Sequence, residues 1–160
     1  MNTKVFWQTT FSGLIATFVM TMVAFLQGGI GLPVIDVGYI LKESFNAMHP
    51  TDPYTIFWGN AAYNIGGVLL GLIWVVGAGR YIPGNWLVQG IVYGVMITLV
   101  AGLVVSPLVS MAAGEPFGIF YMATWVPGLF IIAGLTMHIA YGIVLMYCLK
   151  IAGVEVIQKK

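Results

Sequence analysis

The stretch VPGLFIIAGLTMHIAYGIVLMYC, residues 126–148, contains no Asp, Glu, Lys or Arg and carries His138 near its centre. It belongs to an uncharged run from 116 to 149. A membrane-spanning helix needs about 20 predominantly apolar residues to cross roughly 30 Å of hydrocarbon. Three more runs, 5–35, 53–79 and 81–114, are equally free of charge. Each is long enough for one span and too short for two. The expectation is an all-α integral membrane protein, a single transmembrane domain over 1–160. Its four helices lie at about 9–30, 55–77, 86–112 and 127–149 and form a four-helix bundle.

Composition agrees. Of 160 residues, 60% are hydrophobic and 7% charged, against roughly 25% charged in a soluble domain. With four spans, no segment is left for a soluble catalytic domain. Lys4 precedes an apolar stretch as in a signal peptide, but the uncharged run is too long for an h-region and lacks a small-x-small cleavage site. The first segment reads as a retained helix. With the N-terminus in the cytoplasm, Lys4, Arg80, Lys150, Lys159 and Lys160 lie inside and Lys42 alone among the cations lies outside. Basic residues concentrate on the cytoplasmic side of short loops. The expected location is the bacterial inner membrane, multi-pass, with both termini cytoplasmic.

The loop after the first span reads as a short amphipathic interfacial helix, 34–48. Pro33 would open it, Asp36 suits the positive end of its dipole, and Val37, Ile40, Leu41, Phe45 and Met48 share a stripe. The second loop, GAGRYIPGN at 77–85, is a tight turn. The third, GEPFGIFYMATWVPG at 114–128, gathers Phe117, Phe120, Tyr121 and Trp125. Such aromatics form an interfacial belt or an interface for another membrane subunit.

Small residues recur one turn apart: Gly13, Thr17 and Thr21; Gly67 and Gly71; Gly90, Gly94 and Thr98; Gly134, His138 and Gly142. Small faces let helix backbones approach in lipid. Gly13, Thr17, Thr21, Gly90 and Gly94 are therefore expected helix-packing positions, with Asn60 and Asn64 as polar glue. A shift of 75 residues lays Gly59, Tyr63 and Gly67 on Gly134, His138 and Gly142. This is a faint duplication that the first and third spans do not share at that shift.

GLIATFVMT, GLPVID and HIAYG resemble a family of small bacterial four-helix membrane proteins known only as a domain of unknown function. The matching positions are Gly13, Ala16, Thr17, Met20, Thr21, Gly31, Leu32, Pro33, Asp36, His138, Tyr141 and Gly142. The resemblance implies the architecture and carries no mechanism. Where the family's second helix often opens with a histidine before an Ile-Gly pair, this chain has Ala62-Tyr63-Asn64-Ile65-Gly66.

An ionisable residue within a span is a functional candidate, because leaving it unpaired in hydrocarbon is costly. His138 lies about eleven residues from each end of its expected helix. Gly134 and Gly142 would leave a flat groove beside it for a haem face or quinone ring. A six-coordinate haem then needs a second ligand from a methionine, a second copy or a partner. The plainer account has a neutral His138 hydrogen-bonding a backbone carbonyl or Thr17, Thr21, Asn60 or Asn64, with no cofactor; a proton or substrate path is a third. His49 and Asp52 could form half of a metal site with Asp36 or Glu115, although their spacing fits no common metal motif.

The lone Cys148 excludes an internal disulfide and any CxxC motif. A net charge of +1 offers nucleic acid no basic patch. No catalytic motif is present, so the chain is expected to be no enzyme. It reads first as a non-catalytic accessory or structural subunit of a larger inner-membrane complex, respiratory or oxidase, in contact with lipid and other membrane subunits. The alternatives are a small haem- or quinone-binding electron-transfer protein using His138, and a small-solute transporter or channel.

Overall fold

A computed structural model describes residues 1–114, 118–120 and 127–155. Helix α1, Thr3–Leu26, runs into a 3-10 turn at Gln27–Ile30. It starts before the expected position 9 because the Asn2 side chain accepts the Val5 N–H at 2.9 Å, pairing an amide that no helical carbonyl reaches. Gly31 then turns the chain with φ of 84°, a conformation that glycine adopts without Cβ strain.

Helix α2 covers Val37–Met48. It begins later than expected from Pro33, since Asp36 is its N-cap and accepts the Tyr39 N–H at 3.0 Å. Pro33 stays outside, its carbonyl held by Gln27 Nε2 at 2.8 Å. Helices α3, Thr55–Val76, and α4, Trp86–Val100, are joined by a turn that includes the 3-10 segment Ala78–Tyr81. A π-helical turn, Ala101–Val105, links α4 to α5, Ser106–Ala112, and α6 spans Pro127–Ile151. Among the described residues there is no strand. Four stretches, Thr3–Ile30, Thr55–Val76, Trp86–Ala112 and Gly128–Ile151, are long and apolar enough to cross a membrane.

Helix α1 packs between α3 and α6, and α6 packs between α1 and α4. The ring closes through large side chains: Trp74 and Tyr93 lie 4.9 Å apart between centroids, and Tyr93 Oη donates to the Leu70 carbonyl at 2.7 Å. Ala16, Met20, Val75, Ile97, Met137, Tyr141 and Leu145 fill the interior. Outer stripes such as Phe11, Ile15 and Phe18 on α1, or Ile65, Leu69 and Ile73 on α3, remain exposed. Their spacing of three and four residues places each stripe on one helix face.

Helix α2 is attached more firmly than a surface segment needs. A Cβ at Gly59 would lie 2.5 Å from the Lys42 backbone nitrogen and 2.6 Å from the Gly38 carbonyl. The two helices therefore cross backbone on backbone. Gly38 is buried in this contact, Ser44 is buried with its hydroxyl 3.5 Å from the Val109 carbonyl of α5, and Met48 is exposed.

The π turn has a local cause. The Ser106 N–H bonds to the Ala101 carbonyl, five residues back. In that register the Gly102 carbonyl faces Pro107, which has no N–H to donate. The Phe120 amide takes the place, donating to Gly102 at 2.8 Å, and the Phe120 ring lies on the space where a Gly102 side chain would stand. Ser106 Oγ donates to the Gly118 carbonyl at 3.1 Å. Residues 118–120 are thereby tied to the interruption in the third span.

Candidate functional site

His138 sits on α6 opposite Thr98 of α4. Its Nδ1 lies 3.3 Å from Thr98 Oγ1, while the same hydroxyl lies 2.9 Å from the Gly94 carbonyl. A hydroxyl has one hydrogen, and the shorter, carbonyl-directed contact claims it. Nδ1 is then the donor to Thr98. The ring also hydrogen-bonds the backbone of Gly134, one turn earlier on the same helix, and the residue is partly buried. An imidazole held by Thr98 and by its own helix thus sits at mid-helix.

The glycines on either side differ. A Cβ on Gly142 would overlap the Gly90 carbonyl, and one on Gly90 would lie 2.8 Å from Ile143 Cα. Helix α4 therefore fills the groove on that side, leaving no room for a ring between the helices. At Gly134 the nearest neighbour is Thr98 Cγ2 at 4.0 Å, an ordinary contact. Gly94 packs equally closely, 2.6 Å from the His138 carbonyl to its hypothetical Cβ.

The first hairpin repeats the device. A Cβ on Gly13 would lie 3.0 Å from the Gly67 carbonyl, and Thr17 Oγ1 occupies the place of a Gly67 side chain. Thr17 returns its own hydroxyl proton to Gly13 at 2.8 Å. Thr21 Oγ1 is 3.0 Å from Tyr63 Oη. None of these groups reaches His138, whose partners are Thr98 and the backbone of Gly134 rather than Thr17, Thr21, Asn60 or Asn64. The two asparagines bond within their own helix, Asn60 Nδ2 to Ile56 and Asn64 Nδ2 to Asn60, at 2.9 and 2.8 Å. Asn60 also packs against Gly38 of α2.

Two further interhelical bonds join distant parts of the chain. Tyr141 Oη donates to the Gly67 carbonyl at 2.5 Å across the interior, and Thr136 Oγ1 donates to Gln27 Oε1 at 2.7 Å. Both residues of the second pair stand out only as polar positions inside uncharged runs.

Asp52 works as a local cap, Oδ1 accepting the Tyr54 N–H at 2.8 Å and Oδ2 the Trp58 indole N–H at 3.1 Å. His49 meets it through the backbone, its carbonyl accepting the Asp52 N–H at 3.1 Å. Among the described residues no three His, Cys, Asp or Glu side chains converge on a metal site. Glu115, Phe117, Tyr121 and Trp125 lie outside the described residues; Phe120 is the one member of the aromatic group with a described position. Compared with protein-family models, with curated proteins and with solved structures, the chain matches none.

Proposed function

We propose that this chain is a non-catalytic accessory subunit of a larger inner-membrane assembly, with both termini cytoplasmic, and that it docks through the α4–α6 face carrying His138. The observation that carries the reading is the partly buried imidazole on that face, held by Thr98 and by the Gly134 backbone. An ionisable ring at hydrocarbon depth is costly unless it is well partnered, and a polar group on a neighbouring subunit can complete its partners. The outer faces of all four spans are apolar enough to meet lipid or other helices.

A second reading uses the same ring. The lone pair of a neutral imidazole binds a haem iron or accepts a hydrogen bond from a quinol. The filled groove at Gly142 restricts such a ring to the Gly134 side. Purification of the tagged chain from its native membrane in a mild detergent separates the two. Stoichiometric partner chains in a colourless sample, lost on His138→Leu, support docking. A single chain with a haem spectrum supports the second reading and overturns the first.

A further inference from the structure

At the end of the bundle that carries Lys150, a cavity of about 540 Å³ opens between the start of α4 and the end of α6. Its inner wall includes Trp74 and Met146, both in the apolar core. Its outer wall is Trp86, whose ring lies 5.4 Å from Tyr147 and 5.5 Å from Lys150 Nζ. Gln89 adds a carboxamide and Glu155 a carboxylate.

The wall that brings Glu155 to the rim is built by a helix cap. Gly153, at φ of 64°, ends α6, with its N–H on the Lys150 carbonyl at 3.2 Å and the Val154 N–H on Leu149 at 3.0 Å. Gln8 Nε2 of α1 ties the same turn through the Ala152 carbonyl at 2.9 Å. Lys150 and Glu155 both line the cavity, yet among the described residues the sole ion pair is Lys42 with Glu43. Among the described residues the cavity thus presents a cation and an anion that form no ion pair, above an apolar floor. It lies where two spans end, the depth at which tryptophan and lysine meet lipid head groups.

We propose that this cavity holds the phosphoethanolamine head group of a membrane phospholipid. The phosphate meets the Lys150 ammonium, the lipid's primary ammonium meets the Glu155 carboxylate, and the glycerol and first methylenes rest on Trp74 and Met146. A wholly anionic head group would face Glu155 unfavourably. A quaternary ammonium would be unable to hydrogen-bond that carboxylate, and the Trp86 face it would seek is already taken by Lys150. The proposal rests on the membrane reading alone and is independent of docking at His138.

The test is native mass spectrometry of the full chain in detergent, titrated with phosphatidylethanolamine, phosphatidylglycerol and phosphatidylcholine of matched acyl chains. Phosphatidylethanolamine is expected to be retained roughly tenfold more tightly than either competitor, the scale of one charge-assisted hydrogen bond. Lys150→Gln should weaken retention of both phosphatidylethanolamine and phosphatidylglycerol. Glu155→Gln should weaken only phosphatidylethanolamine, a reading that stands alone if the first variant fails to fold. Equal retention of the three lipids, or loss of no lipid in the Glu155 variant, overturns the proposal. So does saturation by soluble glycerophosphoethanolamine at the same concentration, since the apolar floor would then contribute nothing.

Discussion

Tyr141 of α6 donates its hydroxyl proton to the Gly67 carbonyl of α3 at 2.5 Å, spanning the interior between two helices that do not adjoin in the ring. Its side chain is completely buried. The same glycine receives Gly13 and Thr17 from α1, so three helices register on one position.

Tyr141→Phe should keep the fold and cost about 0.6 to 1.7 kcal/mol, the range measured for interhelical hydrogen bonds in membranes. Gly67→Ala should cost more, because the added methyl coincides with Thr17 Oγ1 and overpacking costs about 1–3 kcal/mol where nothing can yield. Reversible unfolding in mixed micelles measures both; equal losses would show that the glycine contact is looser than the geometry implies.

The glycines flanking His138 give a sharper contrast. Gly142→Ala must push α4 and α6 apart at the Gly90 backbone, whereas Gly134→Ala adds a methyl 4.0 Å from Thr98 Cγ2. The first should lower the unfolding temperature or abolish the folded chain, and the second should be neutral or stabilising, since alanine favours helix by about 1 kcal/mol over glycine. Thermal denaturation followed by circular dichroism distinguishes them.

At Thr98 the substitution to Val removes the acceptor for His138 Nδ1 while keeping the shape. Chain stability should fall by about 0.6 kcal/mol. Released from Thr98, the imidazole should hold the proposed partner less well, so co-purification should fall while the amount of chain in the membrane stays level. Co-purification unchanged in both this variant and His138→Leu would remove His138 from the docking surface.

Pro107→Ala supplies an N–H that competes with Phe120 for the Gly102 carbonyl. The third span should then wind more regularly, and the Phe120 amide, now held at 2.8 Å, should lose protection by roughly tenfold, the equivalent of one modest hydrogen bond. Hydrogen exchange read at that amide is the measurement, and unchanged protection would mean that Pro107 is not what frees the carbonyl.

Charge spacing alone determined the number of apolar helices and most of their ends, because a charged residue inside a span is costly and each uncharged run holds one helix. Asp36 was legible as a helix-start residue, but Pro33 drew the start of α2 too early, and the Asn2 cap that begins α1 before position 9 was not read. The tertiary structure decided which faces meet. Rows of glycine look alike in sequence, so nothing local says that Gly90 crosses Gly142 while Gly13 crosses Gly67; mutual fit of two backbones selects the pair. The same holds for His138. Its depth follows from counting residues, whereas its partner Thr98 follows only from how α4 lies on α6. The span at 86–112 reads as one helix; its π register before Pro107 and the repair by Phe120 depend on a loop returning from a distance, which no local pattern encodes.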